Sequence, residues 1–158
     1  MRVLALDIAT HTGWAYADKG VIAGHGVLDL SKHDDEGARS NAFRSKLARA
    51  LGAFSVDLVV IERPVLAKPS ATTYRTNGLV WDAHAAAHAH GAQRREVTAD
   101  TWRKALYGKA RPAKGRALKN MAIAYARDRG VEIKSDDEAE ALLILWWWFE
   151  HGAKNGAV

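Results

Sequence analysis

Two short apolar segments, each running directly into an acid, constrain this chain more than any other feature. Residues 2–6 are followed by Asp7, and residues 55–61 are followed by Glu62 and then by Pro64. Short apolar runs of this kind, bounded by turn residues, are typical of strands buried in a sheet. An ionised carboxylate at the end of such a strand is costly unless it is hydrated, paired or bound to a cation. Each acid therefore either emerges into solvent or belongs to a site.

Hydrophobic periodicity and turn residues predict the other elements. Strands are expected at three further places, residues 13–17, 21–28 and 95–97. Helices are expected at five places, from Asp34 or Asp35 to residue 51, over 77–90, around Trp102, over 116–129 and over 136–151. Two polar stretches are expected to be loops, residues 64–76 and 108–115. This order predicts an α/β fold in which α-helices flank a mixed five-stranded sheet.

Length and composition narrow the class of protein. At 158 residues the chain has room for one domain, expected over residues 1–158. The longest apolar run, residues 141–149, is about half of a membrane span, so no association with a membrane is expected. The absence of cysteine excludes disulfides and thiolate zinc sites and is compatible with a cytoplasmic protein. Any metal site must therefore use oxygen or imidazole ligands.

The basic charge of the chain is concentrated in one segment. The net charge is +5 and the isoelectric point is near 9.6. Between Arg94 and Lys119 there are nine lysines and arginines against two acids. A mildly basic composition also serves simply to keep a protein soluble, but a local excess of this size favours a surface that binds phosphate. An anionic partner such as nucleic acid is therefore predicted.

A third group of acids stands at the predicted start of the last helix, in residues 135–140. Acids in a first helical turn, behind a Ser135 cap, are explained by the helix dipole alone. Asp137 and Glu140, however, are three residues apart, which places both carboxylates on one face of the helix. If the apolar residues that follow pack this helix onto the sheet, that face turns towards the strand ends and their acids.

The chemistry of such an acidic cluster points to metal ions. Three or four carboxylates in close contact repel one another and are stable in the ionised form only around cations. Oxygen ligands suit Mg²⁺ or Mn²⁺, and two such ions per site support phosphodiester hydrolysis. With the basic segment, the acids predict a metal-dependent nuclease. The alternative is a non-catalytic nucleic-acid-binding module in which the acids only cap helices and strands.

Four segments, in this order along the chain, resemble the RuvC-like Holliday junction resolvases, in particular the phage-type members of this branch of the RNase H-like superfamily. The segments are LALDIATHTGWA, VVIERP, VTADTWRKALYGKARPAK and DDEAEALLIL. The first two resemble the strands that carry two catalytic acids of the family, which correspond to Asp7 and Glu62. The last resembles the family's final acidic pair, which corresponds to Asp137 and Glu140, with Asp136 as an alternative metal ligand. The resemblance implies an RNase H-like fold.

The same resemblance implies residues that contact DNA. Its third segment resembles the stretch in which lysines of the family contact DNA phosphates, and the matching positions are Lys104 and Lys114. Neighbouring basic residues and the loop expected after the second acid add five candidates: Arg103, Lys109, Arg111, Tyr74 and Arg75.

Activity, cofactors and assembly are also implied by the resemblance. The expectation is a crossover junction endodeoxyribonuclease that uses Mg²⁺ or Mn²⁺, with two ions per site, and resolves four-way DNA junctions by paired symmetric nicks. A homodimer is expected because a two-fold dimer presents two equivalent sites to a two-fold substrate. The run WWWF at residues 146–149 points around the last helix in every direction, so its surplus predicts a second buried surface suited to dimerisation.

Two further interpretations keep part of this argument. An RNase H-like nuclease with the same metals could act on flap DNA, other branched DNA or RNA–DNA hybrids. The segment LALDIATHTG also resembles the phosphate-binding first hairpin of actin-like sugar kinases. Those kinases need a second, similar domain and a glycine-rich second phosphate loop, for which the chain offers neither the length nor the residues.

Overall fold

The strands of the computed structural model form a five-stranded sheet. The structure describes residues 1–64, 70–109 and 112–153. The strands are β1 (Arg2–Asp7), β2 (His11–Asp18), β3 (Val21–Asp29), β4 (Leu58–Arg63) and β5 (Gln93–Thr98). Their order is β3-β2-β1-β4-β5, with antiparallel pairing between the first three and parallel pairing of β1 with β4 and of β4 with β5. The predicted mixed sheet is confirmed.

Within the described ranges, five α-helices flank the sheet. They are α1 (Glu36–Phe54), α2 (Ala71–Ala89), α3 (Ala99–Tyr107), α4 (Gly115–Asp128) and α5 (Asp136–Trp147), which continues into a π-helical turn at Trp148–Gly152. Four of them are capped at their N-termini by a side-chain oxygen that accepts a hydrogen bond from a backbone N–H of the first turn. The capping residues are Asp35, Ser70, Thr98 and Ser135. No helix in this part of the chain is both long and apolar enough to cross a membrane.

Both faces of the sheet are covered, and β1 shows how. Val3 and Ala5 join the core beneath α3, α4 and α5, whereas Leu4 and Leu6 join the core beneath α1 and α2. All four side chains are buried. Helix α5 packs on β1 and β2, so the helix that carries the last acids lies over the centre of the sheet.

The main departure from the predicted elements lies after β4. The sequence predicts a loop over residues 64–76, of which 65–69 lie outside the described residues. Helix α2 begins inside that stretch, at Ala71. The Ser70 hydroxyl accepts the backbone N–H of Thr73 at 3.1 Å, and this cap allows polar residues to fill the first turns of the helix. Tyr74 and Arg75 therefore lie on a helix and not in a loop.

Part of the aromatic run at the end of α5 is buried within the chain. Trp147 and Trp148 are 9% and 7% exposed and belong to the core beneath α5. The ring of Trp146 lies 6.0 Å from that of Tyr125, and the Arg129 guanidinium lies 5.0 Å above it. Helix α4 packs against α5, and Trp146 and Phe149 remain half-buried. The second buried surface that the sequence indicates stays a prediction.

Candidate active site

The sheet topology places the first two predicted acids side by side. Strands β1 and β4 are parallel neighbours, and Leu6 lies opposite Ile61 in their register. The next residue of each strand is an acid, Asp7 in β1 and Glu62 in β4. Both therefore stand at the carboxyl-terminal edge of the sheet, although they are far apart in sequence.

Helix α5 reaches the same edge because β2 has a glycine there. Gly13 lies opposite Asp7 in the pairing of β1 with β2. A Cβ atom at Gly13 would lie 1.9 Å from the carbonyl oxygen of Asp137 and 3.3 Å from the Cβ of Ala141. Only a residue without a side chain permits this approach. The first turn of α5 thus rests directly on β2, beside the end of β1.

The four predicted catalytic acids interact electrostatically in this arrangement. Asp7 keeps a partial opening to solvent, yet burial raises its pKa well above the usual value, and the carboxylates of Glu62, Glu140 and Asp137 raise that pKa further. Burial raises the pKa of Glu62 to about 6 despite a hydrogen bond from Trp102. Burial likewise raises the pKa of Glu140 and the pKa of Asp137. Acids from three elements therefore share one site whose negative charge the protein compensates poorly.

Helix α3 supplies hydrogen-bond donors to two of these acids. The indole Nε1 of Trp102 donates to Oε2 of Glu62 at 2.6 Å. Nη2 of Arg103 donates to Oε1 of Glu140 at 3.1 Å, and the guanidinium lies over the Trp102 ring, 4.8 Å from its centroid. Arg103 is thus directed into the acidic cluster, with only 17% of its side chain exposed, and not onto an open surface.

The other acids of the α5 first turn bind partners outside the cluster. Asp136 forms an ion pair with Lys119 of α4. Glu138 is 4% exposed; its carboxylate lies 2.7 Å from Nδ1 of His25 in β3 and accepts the backbone N–H of Lys134 at 2.7 Å. The predicted pair spaced three residues apart therefore faces the strand ends, and the alternative metal ligand is engaged elsewhere.

The predicted DNA-binding residues differ in their accessibility. Three are exposed lysines in and after α3: Lys104, Lys109 and Lys114. Tyr74 is 69% exposed on α2. Arg75 beside it is half-buried and donates from Nε to Oε1 of Glu36 at 2.8 Å. Arg111 lies outside the described residues.

The donor set of the cluster fits Mg²⁺ or Mn²⁺ in its chemistry. Buried carboxylate oxygens that repel one another are the ligands a hard divalent cation stabilises. As the side chains stand, no group of three or more acids and histidines among the described residues forms a ready metal site. One oxygen of Glu62 accepts from Trp102 and one oxygen of Glu140 accepts from Arg103.

Sequence reasoning missed several residues that shape this site. Gly13 has no local signal, because its close approach to α5 exists only in three dimensions. Lys119 has no local signal either, since its partner Asp136 is 17 residues away in the sequence. Trp102 does have a signal in the sequence. A buried indole N–H requires an acceptor, and this tryptophan lies within the segment that carries the predicted DNA-binding lysines.

The fold is similar to that of three solved structures. RuvC of Thermus thermophilus aligns with a TM-score of 0.73 at 18% identity, over 96% of this chain and 97% of that chain. T. thermophilus RuvC in complex with a Holliday junction substrate aligns with a TM-score of 0.80 at 18% identity, over 98% and 96%. The yeast mitochondrial Holliday junction resolvase Ydc2 aligns with a TM-score of 0.62 at 15% identity, over 92% and 78%.

These comparisons establish the fold. The mixed sheet with its flanking helices is the RNase H-like fold in the form found in RuvC, and the alignment extends over nearly the whole chain. The fold implied by the sequence resemblance is therefore confirmed. No protein-family model matches the chain, and no curated protein matches it by sequence.

Proposed function

We propose that this protein is a metal-dependent, structure-specific DNA endonuclease that resolves four-way junctions by paired symmetric nicks. One observation carries the proposal: Asp7, Glu62, Asp137 and Glu140, from two strands and a helix, share one acidic site at the edge of the sheet. The fold is that of RuvC solved in complex with a Holliday junction substrate and of the yeast mitochondrial Holliday junction resolvase Ydc2. We assign the activity to one nuclease domain over residues 1–158, acting in the cytoplasm of a bacterial cell or a phage-infected host.

The four acids would hold Mg²⁺ or Mn²⁺, with two ions in each site. When bound, such ions activate water and stabilise the leaving oxygen of a phosphodiester. The residues of the chain then orient this centre: Gly13 lets α5 approach β1 and β2, and Arg103 draws Glu140 towards α3. Arg103 also brings positive charge close to the position a scissile phosphate would take beside the acids.

The exposed lysines in and after α3 would contact the DNA backbone. Lys104 lies on the same short helix as Arg103, so phosphate binding and the acidic site share one rigid element. Lys114 stands exposed at the start of α4, whose Lys119 binds the neighbouring acid Asp136. Such contacts supply affinity and its dependence on salt, without sequence preference.

A homodimer would pair the two nicks, and α2 offers the surface for it. Trp81 is 73% exposed, and Tyr74, seven residues earlier on the same face of this helix, is 69% exposed. In this proposal Tyr74 belongs to the dimer surface and not to the DNA contact that the sequence predicts. Between and beyond Tyr74 and Trp81 on the same face lie Gly78 and Ala85, whose small size permits close helix packing. Large exposed aromatic residues beside small ones are characteristic of a buried interface. A strict monomer by light scattering would contradict paired cutting.

The proposal is tested by cleavage of a synthetic four-way junction with and without Mg²⁺ or Mn²⁺. We expect symmetric nicks that leave 5′-phosphate ends, and a loss of about a thousandfold or more in Asp7→Asn with junction binding retained. The control is Asp57→Asn, an acid just before β4 at the opposite end of the sheet, which should cleave normally.

The same assay separates the alternatives. Flap DNA, RNA–DNA hybrid and plain duplex are compared with the junction under identical conditions. Equal cutting of all four substrates would contradict junction specificity and favour a general RNase H-like nuclease. Junction binding without any metal-dependent cleavage by the unmodified protein would favour the non-catalytic module.

A further inference from the structure

The hydrogen bond between Trp102 and Glu62 links a fully buried side chain to the acidic site. Trp102 has no solvent exposure, and its ring is flanked by the Arg103 guanidinium at 4.8 Å and by the Tyr107 ring at 6.2 Å. An indole has one N–H and no acceptor, so a buried indole is costly unless that N–H finds a partner. Oxygen Oε2 of Glu62 is that partner, at 2.6 Å.

This bond determines which oxygen of Glu62 remains available. The described residues supply no hydrogen bond to Oε1, and Oε2 is bound to the indole. A second glutamate of the cluster is held differently, because Arg103 bonds Glu140 with a positive charge that competes with a metal ion. The indole is neutral, so its bond to Glu62 is compatible with a cation on the other oxygen.

We propose that Trp102 is a positioning residue of the metal centre: its indole N–H fixes Oε2 of Glu62 and presents Oε1 to the divalent cation. The inference rests on the proposed function, since it takes Glu62 as a metal ligand. Groups that orient metal ligands from behind contribute about ten- to hundredfold to metal affinity or activity. The role also explains how helix α3, although short, is coupled to the end of β4.

A second tryptophan of the same core provides a matched control. Trp148 is 7% exposed and belongs to the hydrophobic cluster that contains Trp102. Its Nε1 is buried without a hydrogen-bond partner among the described residues. Replacing either tryptophan by phenylalanine removes the same atoms from the same core, but only Trp102→Phe removes a bond to an acid of the site.

The test measures binding of Mn²⁺ alone to the full-length protein by calorimetry or electron paramagnetic resonance, with no DNA present. Trp102→Phe should weaken Mn²⁺ binding by about ten- to hundredfold, and Trp148→Phe should not. In a Glu62→Gln background, adding Trp102→Phe should cause no further loss, because the indole acts through Glu62. An equal loss in both backgrounds, or with Trp148→Phe, would overturn the proposal.

A measurement on the unmodified protein covers the case in which Trp102→Phe does not fold. The indole ¹⁵N–¹H signal of Trp102 should move during a Mg²⁺ titration, while that of Trp148 stays in place. An unmoved Trp102 signal while Mg²⁺ binds would overturn the positioning role and leave the nuclease proposal intact. Failure of the unmodified protein to bind Mn²⁺ or Mg²⁺ would overturn both.

Discussion

Charged residues stand at both ends of the pairing between β1 and β4, and their charges are balanced at one end only. At one end, the backbone N–H and the guanidinium of Arg2 donate to Asp57 at 2.7 and 2.8 Å. These hydrogen bonds lower the pKa of Asp57 to about 2. At the other end, Asp7 stands beside Glu62, and burial raises the pKa of Glu62 to about 6. One end is an ion pair, and the other is a group of like charges.

The difference separates a stabilising ion pair from the proposed active site. The ion pair of Arg2 with Asp57 joins the start of β1 to the residue before β4, and its two charges neutralise each other. The cluster around Asp7 gathers four acids and draws in Arg103, yet burial and repulsion still raise the pKa of Asp7. A site of that kind costs stability in the metal-free protein. It is therefore where a bound cation and an anionic substrate are expected to act.

Gly13→Ala should have the largest effect, because it separates the helix from the acidic end of the sheet. The new Cβ would lie 1.9 Å from the carbonyl oxygen of Asp137, so α5 must move. We expect a loss of about 1–3 kcal/mol in urea unfolding and of about a hundredfold in junction cleavage. Gly52→Ala in α1 is the control, since nothing lies within 4 Å of its Cβ. Full activity of Gly13→Ala would show that the contact does not position the acids.

A metal ion should stabilise the acidic end in a pH-dependent way. For a carboxyl group whose pKa is higher in the folded than in the unfolded protein, stability is complete below the unfolded pKa and declines as the pH rises through the folded pKa. For Glu62 this range extends from 4.5 to about 6 and corresponds to about 2 kcal/mol. Mg²⁺ should therefore raise the melting temperature clearly at about pH 8 and little at about pH 4.5.

The matched variant for this prediction is Glu62→Gln, which keeps an acceptor for Trp102 but removes one charge. The metal-free variant should melt at a higher temperature than the unmodified protein at about pH 8. Mg²⁺ should then add little stability. A metal effect that is equal at both pH values, or that is unchanged in Glu62→Gln, would place the ions elsewhere.

Asp57→Asn should have the smallest effect, because it removes an ion pair whose side chains are 40% and 41% exposed. Since the folded pKa is lowered, the contribution of Asp57 is present above the unfolded value of 3.8 and is lost as the pH falls through about 2. We expect a slightly lower melting temperature near neutral pH, a weaker acid dependence and unchanged cleavage. Cleavage reduced as far as in Asp7→Asn would mean that the two ends are not independent.

Most of the fold could be predicted from local sequence patterns. Apolar runs of strand length predicted β1 and β4, and turn residues separated the first three strands. The spacing of Asp137 and Glu140 predicted their common face, which the structure directs towards the strand ends. The prediction of a loop over residues 64–76 was wrong in part, because α2 begins at Ala71 behind the Ser70 cap.

The contacts of individual side chains were harder to predict from the sequence. Arg103 stands among basic residues in the sequence, but in the fold it bonds Glu140 and stacks on Trp102. Trp146 of the aromatic run packs on Tyr125 of α4, a neighbour that lies on another helix. In each case the deciding neighbour lies on another element, so no pattern within one segment reveals it.

The sequence by itself thus determined that two buried strands end in Asp7 and Glu62 and that a helix begins with acids on one face. Backbone propensity, periodicity and capping depend on residues near in the chain, and those can be read directly. Only the tertiary structure decided that these acids share one site, that Gly13 admits α5, and that Trp102 holds Glu62. Burial, hydrogen bonding and raised pKa values arise from strand pairing and helix packing between distant segments, and these exist only in the folded protein.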